Sequence, residues 1–154
     1  MKKIVVVIKT DDHHKERLLK AAGGNEIEFY TKDQVTKEIV HSANIIIGAC
    51  KADLLKGSKN LEFLQVSSAG VNEYIADGVL APGVKLCNAT GAYGLAISEH
   101  MLGSLLMLQK KLHLYRDNQN KNLWKDMGNV VGIEGSTVLV LGMGDIGGDF
   151  ARKV

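Results

Sequence analysis

Five short segments with strand character, separated by helical or polar stretches, limit this chain to a small set of folds. The first run, Ile4–Ile8, is apolar at every position, which is typical of a strand covered on both faces. The next stretch, His13 to Ala22, has helical character and ends at Gly23-Gly24. The remaining strands are predicted at Glu26–Tyr30, Ala43–Gly48, Leu61–Ser67 and Val84–Asn88, with a second helix at Lys32–His41. This alternation predicts an α/β fold, a flavodoxin-like open parallel sheet with helices on both faces, through about residue 90.

Composition narrows the class of protein further. The chain has 154 residues, of which 45% are apolar and 23% charged, and its net charge is +2. The lysines are scattered along the sequence, so we expect no nucleic-acid partner. No apolar run approaches the roughly 20 residues of a membrane span, and the run after Met1-Lys2-Lys3 is too short for a signal peptide. Cys50 and Cys87 are too few and too far apart for a zinc site. We therefore expect a cytoplasmic protein with no metal and no membrane partner.

The second part of the chain follows a different pattern. Leu95 to Leu114 is predicted to form one long helix, apolar on more than one face and therefore packed between other elements. The polar stretch Arg116 to Asn129, which contains Trp124, is predicted as loop and short helix. A strand at Thr137–Leu141 follows. We therefore expect a second domain over residues 96–154, after a first domain over residues 1–95.

A glycine-rich turn follows the last predicted strand. Gly142, Gly144 and Gly147 have the spacing of a dinucleotide-binding turn, with Asp145 and Ile146 between them. The first glycine allows the tight turn, the second lets backbone approach the pyrophosphate, and the third lets the helix pack on the strand. These residues predict an NAD or NADP site, while a glycine-rich turn without a ligand remains the alternative. The residue that selects between NAD and NADP would lie about 20 positions further on, beyond the chain.

Three stretches in this order resemble one known family. They are LEFLQVSSAGVNEY (Leu61–Tyr74), LCNATGAYGLAISEHMLGSLL (Leu86–Leu106) and WKDMGNVVGIEGSTVLVLGMGDIG (Trp124–Gly147). Together they resemble the NAD-dependent D-isomer-specific 2-hydroxyacid dehydrogenases, which include phosphoglycerate, glycerate and hydroxypyruvate dehydrogenase-like enzymes. The resemblance implies a substrate-binding (lid) domain over residues 1–95. Residues 96–154 would then be the interdomain helix and the first strand-turn-helix of a truncated Rossmann cofactor domain.

The resemblance also implies roles for individual residues. The backbone amides of Ser68, Ala69 and Gly70 would hold the substrate carboxylate, and Asn72 departs from the family's usual aspartate there. The family's catalytic Arg, Glu and His would all lie beyond residue 154, so no catalytic residue is expected in this chain and we expect it to be inactive alone. His100 is expected to be a helix-packing histidine. The long helix and the Trp124 region would contribute to a homodimer.

Two other classes of function stay open. A non-catalytic binding or dimerisation module would use the same fold without turnover. A phospho-receiver domain is a weaker alternative, because Asp11-Asp12 follows the first strand but no aspartate follows the third strand, at Gly48–Lys51. The sequence does not specify which 2-hydroxy acid is the substrate, or whether the cofactor is NAD or NADP.

Overall fold

The computed structural model describes residues 1–154 and separates the chain into two compact units between Thr90 and Gly91. We call residues 1–90 the sheet unit and residues 91–154 the helical unit. The sequence placed its domain boundary five residues later, between residues 95 and 96. The roles of the two units as substrate and cofactor domains stay predictions.

The sheet unit is an all-parallel α/β structure. Five strands are hydrogen-bonded in the order β2-β1-β3-β4-β5. The elements are β1 (Lys3–Val7), α1 (Asp12–Ala21), β2 (Glu26–Phe29), α2 (Lys37–Ser42), β3 (Ile45–Gly48), α3 (Ala52–Leu55), β4 (Phe63–Gln65) and β5 (Lys85–Cys87). The predicted open parallel sheet is confirmed.

Apolar side chains are buried on both faces of this sheet. On one face Val5, Ile46 and Leu64 lie side by side in the strand register and are fully buried, with Val40 of α2 and Leu55 of α3 in the same cluster. On the other face Ile4 and Val6 form a smaller cluster with Ala22 and Leu18 from the α1 region. A strand buried on both faces cannot show the alternating polarity of a half-exposed strand. The continuous apolar run at the N-terminus has this physical cause.

Helix α2 begins five residues later than its sequence pattern predicted. The Thr36 side chain accepts a hydrogen bond from the Ile39 N–H at 3.4 Å, which caps the helix at its first turn. Residues 31–34 instead form a turn, in which the Gln34 N–H donates to the Thr31 carbonyl. The polar start of the predicted helix is therefore a turn that leads into the cap.

The helical unit contains α4 (Gly94–Gln109), α5 (Leu112–Asn120) and α6 (Asp145–Ala151). The prediction of one helix from Leu95 to Leu114 is wrong, because the chain turns at Lys111, whose φ is +56°. The Lys110 and Lys111 ammonium groups donate to the carbonyls of Val131 and Met127. Both lysines thus hold a later segment of the unit at the break between the helices.

Helix α4 is not packed on all sides within its unit, contrary to the prediction. Gly94 and Ser98 are its only buried residues. Large apolar side chains along it are exposed, namely Leu95, Ile97, Met101, Met107 and Leu108. No helix in the structure combines the length and the apolar character that a bilayer crossing requires.

The predicted strand Thr137–Leu141 is not formed. This stretch belongs to an extended arm, residues 123–141, that contains no helix or strand. Leu139 and Leu141 are 90% and 98% exposed. Strand backbone needs a neighbouring strand to accept and donate its hydrogen bonds, and the helical unit contains none. The apolar run indicates strand propensity, but a partner strand is missing.

Candidate functional site

The predicted substrate loop, Ser68–Gly70, lies beyond the carboxyl end of β4. Each of its three carbonyl oxygens accepts a hydrogen bond from within the sheet unit. The Ser68 carbonyl accepts from the Ala89 N–H at 3.0 Å, and the Ala69 carbonyl accepts from the Asn88 side-chain amide at 2.9 Å. The Gly70 carbonyl accepts from the Ser68 hydroxyl at 2.8 Å. The acceptors of the loop are therefore all used.

The donors of the same loop are free. None of the Ser68, Ala69 and Gly70 N–H groups donates a hydrogen bond within the sheet unit, and all three residues are exposed. Nothing lies within 4 Å of the place where a Cβ of Gly70 would stand. Successive free amides without bulky side chains form a concavity suited to an anion. The loop thus has the chemical character of an anion-binding site.

Asn88 contacts the candidate site and was missed by the sequence analysis. Its side-chain amide reaches across to Ala69, and its Oδ1 accepts from the Thr90 N–H at 3.2 Å. Its own carbonyl accepts from the Gln65 side chain at 2.9 Å. The available signal was an asparagine two residues before Thr90 at a strand end, which is the pattern of an Asx turn. The contact with Ala69 has no local signature, because it joins residues 19 apart.

The glycine turn, Gly142–Gly147, has the backbone geometry that its spacing requires. Gly142 has φ of +94°, which glycine adopts without strain. A Cβ on Gly147 would collide with the carbonyl of Gly142, so the third glycine allows helix α6 to approach the turn. Gly144 faces open space, with no atom within 4 Å of its missing Cβ. This opening fits the close approach of a phosphate group to backbone, although the strand that should precede the turn is absent.

Asp145, the first residue of α6, directs its carboxylate toward the start of α4. Its Oδ2 accepts from the Gly91 N–H at 3.2 Å. A Cβ on Gly94 would lie 2.8 Å from its Oδ1, so glycine at that position makes room for the carboxylate. No side chain caps the N-terminus of α6. The backbone of Asp145 and Ile146, rather than the aspartate side chain, is thus the part suited to a phosphate.

A second carboxylate on α6 fixes the two helices to each other. Asp149 Oδ2 accepts from the buried Ser98 hydroxyl at 2.5 Å and from the Lys153 ammonium at 2.5 Å. Arg152 donates to the other oxygen at 3.1 Å. These hydrogen bonds, that of Lys153 first, hold the pKa of the Asp149 carboxyl well below its usual range. Asp149 is therefore ionised in the folded helical unit over the physiological range.

A groove of about 1000 Å³ lies between α5 and the beginning of the arm. Leu112, Tyr115, Leu123 and Trp124 supply most of its apolar lining. The Trp124 ring is fully exposed. An apolar groove with an uncovered tryptophan is typical of a surface that another molecule covers.

The structure gives the surroundings of His100 and His14, each within its own unit. His100, expected to pack between helices, is exposed. His14 contacts Asp11 at 2.6 Å, but Asp11 is the N-cap of α1 and also accepts from the His14 N–H. The contact between His14 and Asp11 is therefore part of the N-terminal cap of α1. No three His, Cys, Asp or Glu side chains lie close enough to hold a metal ion.

Comparisons with known proteins extend these observations. No family model matches the chain. Erythronate-4-phosphate dehydrogenase from Pseudoalteromonas atlantica is 24% identical over 95 residues, which are 59% of this chain and 25% of that protein. D-3-phosphoglycerate dehydrogenase from Archaeoglobus fulgidus is 22% identical over 138 residues, 84% of this chain and 26% of that protein. The chain thus spans about a quarter of the length of these curated relatives.

A solved structure of a D-isomer-specific 2-hydroxyacid dehydrogenase family protein from Aeromonas salmonicida matches over 99% of this chain and 50% of its own. It is 30% identical, with a TM-score of 0.80. The chain resembles the N-terminal half of D-isomer-specific 2-hydroxyacid dehydrogenases. The resemblance stated from sequence is confirmed. Two more distant structures of the same fold were solved with NADPH and with NAD, respectively.

Proposed function

We propose that the sheet unit binds the carboxylate of a small 2-hydroxy or 2-keto acid, as the substrate-binding part of a D-2-hydroxyacid dehydrogenase. The observation that carries the proposal is the difference in hydrogen bonding between the carbonyls and the amides of the substrate loop. Its three carbonyls are engaged, while the amides of Ser68, Ala69 and Gly70 are free and exposed. Hydrogen bonds from neutral N–H groups to an ionised oxygen are stronger than those between neutral groups. A carboxylate is the anion that a 2-hydroxy acid presents.

We further propose that the glycine turn contributes to an NAD or NADP site. The amides of Gly144, Asp145, Ile146 and Gly147 would face the pyrophosphate, with Gly142 shaping the turn. The open space at Gly144 and the close approach at Gly147 support this. When bound, the nicotinamide would supply the hydride that interconverts the 2-keto and 2-hydroxy acids. These residues cover the phosphate-binding part of such a site.

The chain alone is expected to bind substrate without turning it over. Reduction of a 2-keto acid needs a proton donor beside the carbonyl, and the substrate loop carries no titratable side chain. Incubation with NADH and glyoxylate or hydroxypyruvate should therefore give no oxidation of NADH above the enzyme-free rate. Turnover that scales with protein concentration would contradict this proposal.

Carboxylate binding is tested by nuclear magnetic resonance on the 154-residue chain. Oxamate, an unreactive analogue of a small 2-keto acid, should shift the amide signals of Ser68, Ala69 and Gly70 in a saturable manner. Oxamide has the same shape without the charge and should leave them in place. Shifts that are absent from the loop, or equal for both compounds, would refute the carboxylate site.

We propose a homodimer formed through α4 and the groove beside Trp124, since these surfaces expose large apolar side chains. The same surfaces support the alternative function, a binding or dimerisation module without catalysis. Oxamate binding at the substrate loop favours the dehydrogenase, whereas self-association without it favours the module. The two unpaired cysteines fit a reducing compartment, which supports a location in the cytoplasm.

A further inference from the structure

We infer that Asn88 is a positioning residue for substrate binding, which orients the substrate loop by holding the carbonyl of Ala69. The inference rests on the proposed carboxylate site. A peptide unit is planar, so a fixed carbonyl fixes the direction of the N–H on the following residue. When Asn88 Nδ2 holds the Ala69 oxygen at 2.9 Å, it also sets the direction of the Gly70 N–H. This amide is the one with no side chain in front of it.

Asn88 is itself held at both ends. Its carbonyl accepts from Gln65 Nε2, whose second bond goes to the Val66 carbonyl, so β4 and β5 are joined just beyond their paired residues. Its Oδ1 accepts from the Thr90 N–H, which fixes the rotamer of the side chain. A donor that is already immobile loses little conformational entropy when it binds the loop. The Ala69 carbonyl therefore has a rigid partner.

Without Asn88, one anchor of the loop would disappear. The Ser68 carbonyl would keep its bond from Ala89, but Ala69 would be free to rotate its peptide. A rotated peptide would present the Ala69 oxygen, rather than the Gly70 N–H, to the ligand. Oxygen facing a carboxylate is repulsive, so the effect should be on ligand affinity more than on folding. Because Asn88 is exposed, we expect its replacement to change the stability of the fold little.

Variants of Asn88 and Asn72 test the inference. Asn72 is also exposed, lies near the loop and makes no side-chain hydrogen bond, so Asn72→Ala and Asn72→Asp are matched controls. Asn88→Ala should weaken oxamate binding roughly threefold to tenfold, as for loss of one net hydrogen bond, at an unchanged melting temperature. Asn88→Asp should weaken it further, and more than Asn72→Asp with the same added charge. Asn88→Ser, too short to reach Ala69, should behave like Asn88→Ala.

The rigidity of the loop backbone can be measured without any ligand. The backbone order parameters of Ala69 and Gly70 should fall toward the flexible range, below about 0.6, in Asn88→Ala and stay high in Asn72→Ala. Unchanged order and unchanged oxamate affinity in every Asn88 variant would overturn the inference and leave the carboxylate site standing. The loop could instead become flexible in the Asn88 variants while oxamate shifts no signals of the wild type. That result would overturn the carboxylate site and show that Asn88 still orders the loop.

Discussion

Asn88 and Asp149 each fix a segment of backbone through a side chain that bridges two elements. Asn88 connects the end of β5 to the loop after β4, and Asp149 connects α6 to α4. Both side chains use more than one hydrogen bond, so their geometry is determined from two directions. Such residues set the position of the backbone that they hold. Their importance is independent of whether they touch a ligand.

The ionised form of Asp149 should stabilise the helical unit in a pH-dependent way. Its pKa is lowered in the folded protein, chiefly by the hydrogen bond from Lys153 and then by that from Ser98. Its stabilisation is therefore complete above the unfolded pKa of about 3.9 and is lost as the pH falls toward the lower folded value. We expect Asp149→Asn to unfold at lower urea concentration than wild type near neutral pH, with the difference shrinking below about pH 4.

A charge control separates this contact from a general effect of net charge. Asp117 lies on α5, is exposed and makes no hydrogen bond or ion pair through its side chain. Urea unfolding followed by circular dichroism should show little change for Asp117→Asn at any pH. An Asp149→Asn deficit that stays constant down to about pH 2 would show that its lowered pKa does not contribute to stability.

At the scale of elements, β1 and β3 pack against each other because Gly48 has no side chain. Gly48 ends β3 with φ of +113°, and a Cβ there would overlap the carbonyl of Val7 on β1. Strand β3 is the central strand of the five and β1 is its neighbour, and Val5, Val7 and Ile46 belong to the larger apolar cluster. Even a single methyl group at this position would have to separate them.

We expect Gly48→Ala to lower the free energy of unfolding by about 3 kcal/mol or more, combining backbone strain with displaced core packing. Gly78→Ala is the matched control, since Gly78 also has positive φ, +74°, but nothing lies within 4 Å of its missing Cβ. Its cost should be about 1–2 kcal/mol, from strain alone. Chemical denaturation of both variants measures the difference, and equal losses would show that the contact with Val7 is unimportant.

The strands were easier to predict than the helices. Each predicted strand of the sheet unit overlaps the observed one. In β1 (Lys3–Val7) the prediction followed directly from burial, because its apolar run is buried residue after residue. The break at Lys111 left no such record, because Leu112 and Leu114 continue the apolar pattern of α4 beyond it. In the loop Ser68–Gly70, small residues predicted a candidate site, but the hydrogen bonds to its carbonyls became visible only in the structure.

At the scale of the whole molecule, the helical unit leaves much apolar surface in contact with water. Leu95 and Leu108 on α4, Leu139 and Leu141 on the arm, and the Trp124 ring are all strongly exposed. A small unit that exposes this many large apolar side chains is typical of one with an interaction surface. The proposed homodimer would cover it.

We expect sedimentation velocity to show a monomer–dimer equilibrium that depends on protein concentration. Trp124→Arg should weaken the dimer by about 30-fold or more, the effect typical of an aromatic interface residue. Ile75→Arg changes an exposed apolar residue of the sheet unit and serves as the control. A wild-type protein that remains a monomer at all concentrations, and binds no dye specific for apolar surface, would contradict the homodimer.

The sequence by itself determined the five strands of the sheet unit, their parallel arrangement and where in the chain the two candidate sites, Ser68–Gly70 and Gly142–Gly147, would lie. Those features depend on burial and on backbone freedom, which are determined by residues close together in the sequence. The tertiary structure decided which polar groups have hydrogen-bond partners, because these bonds join residues far apart in the sequence. Examples are the hydrogen bonds from Asn88 to Ala69, from Ser98 to Asp149 and from Gly91 to Asp145. It also left Thr137–Leu141 without a partner strand. Local propensity proposes a strand or a loop, but only a partner brought close by folding completes its hydrogen bonds.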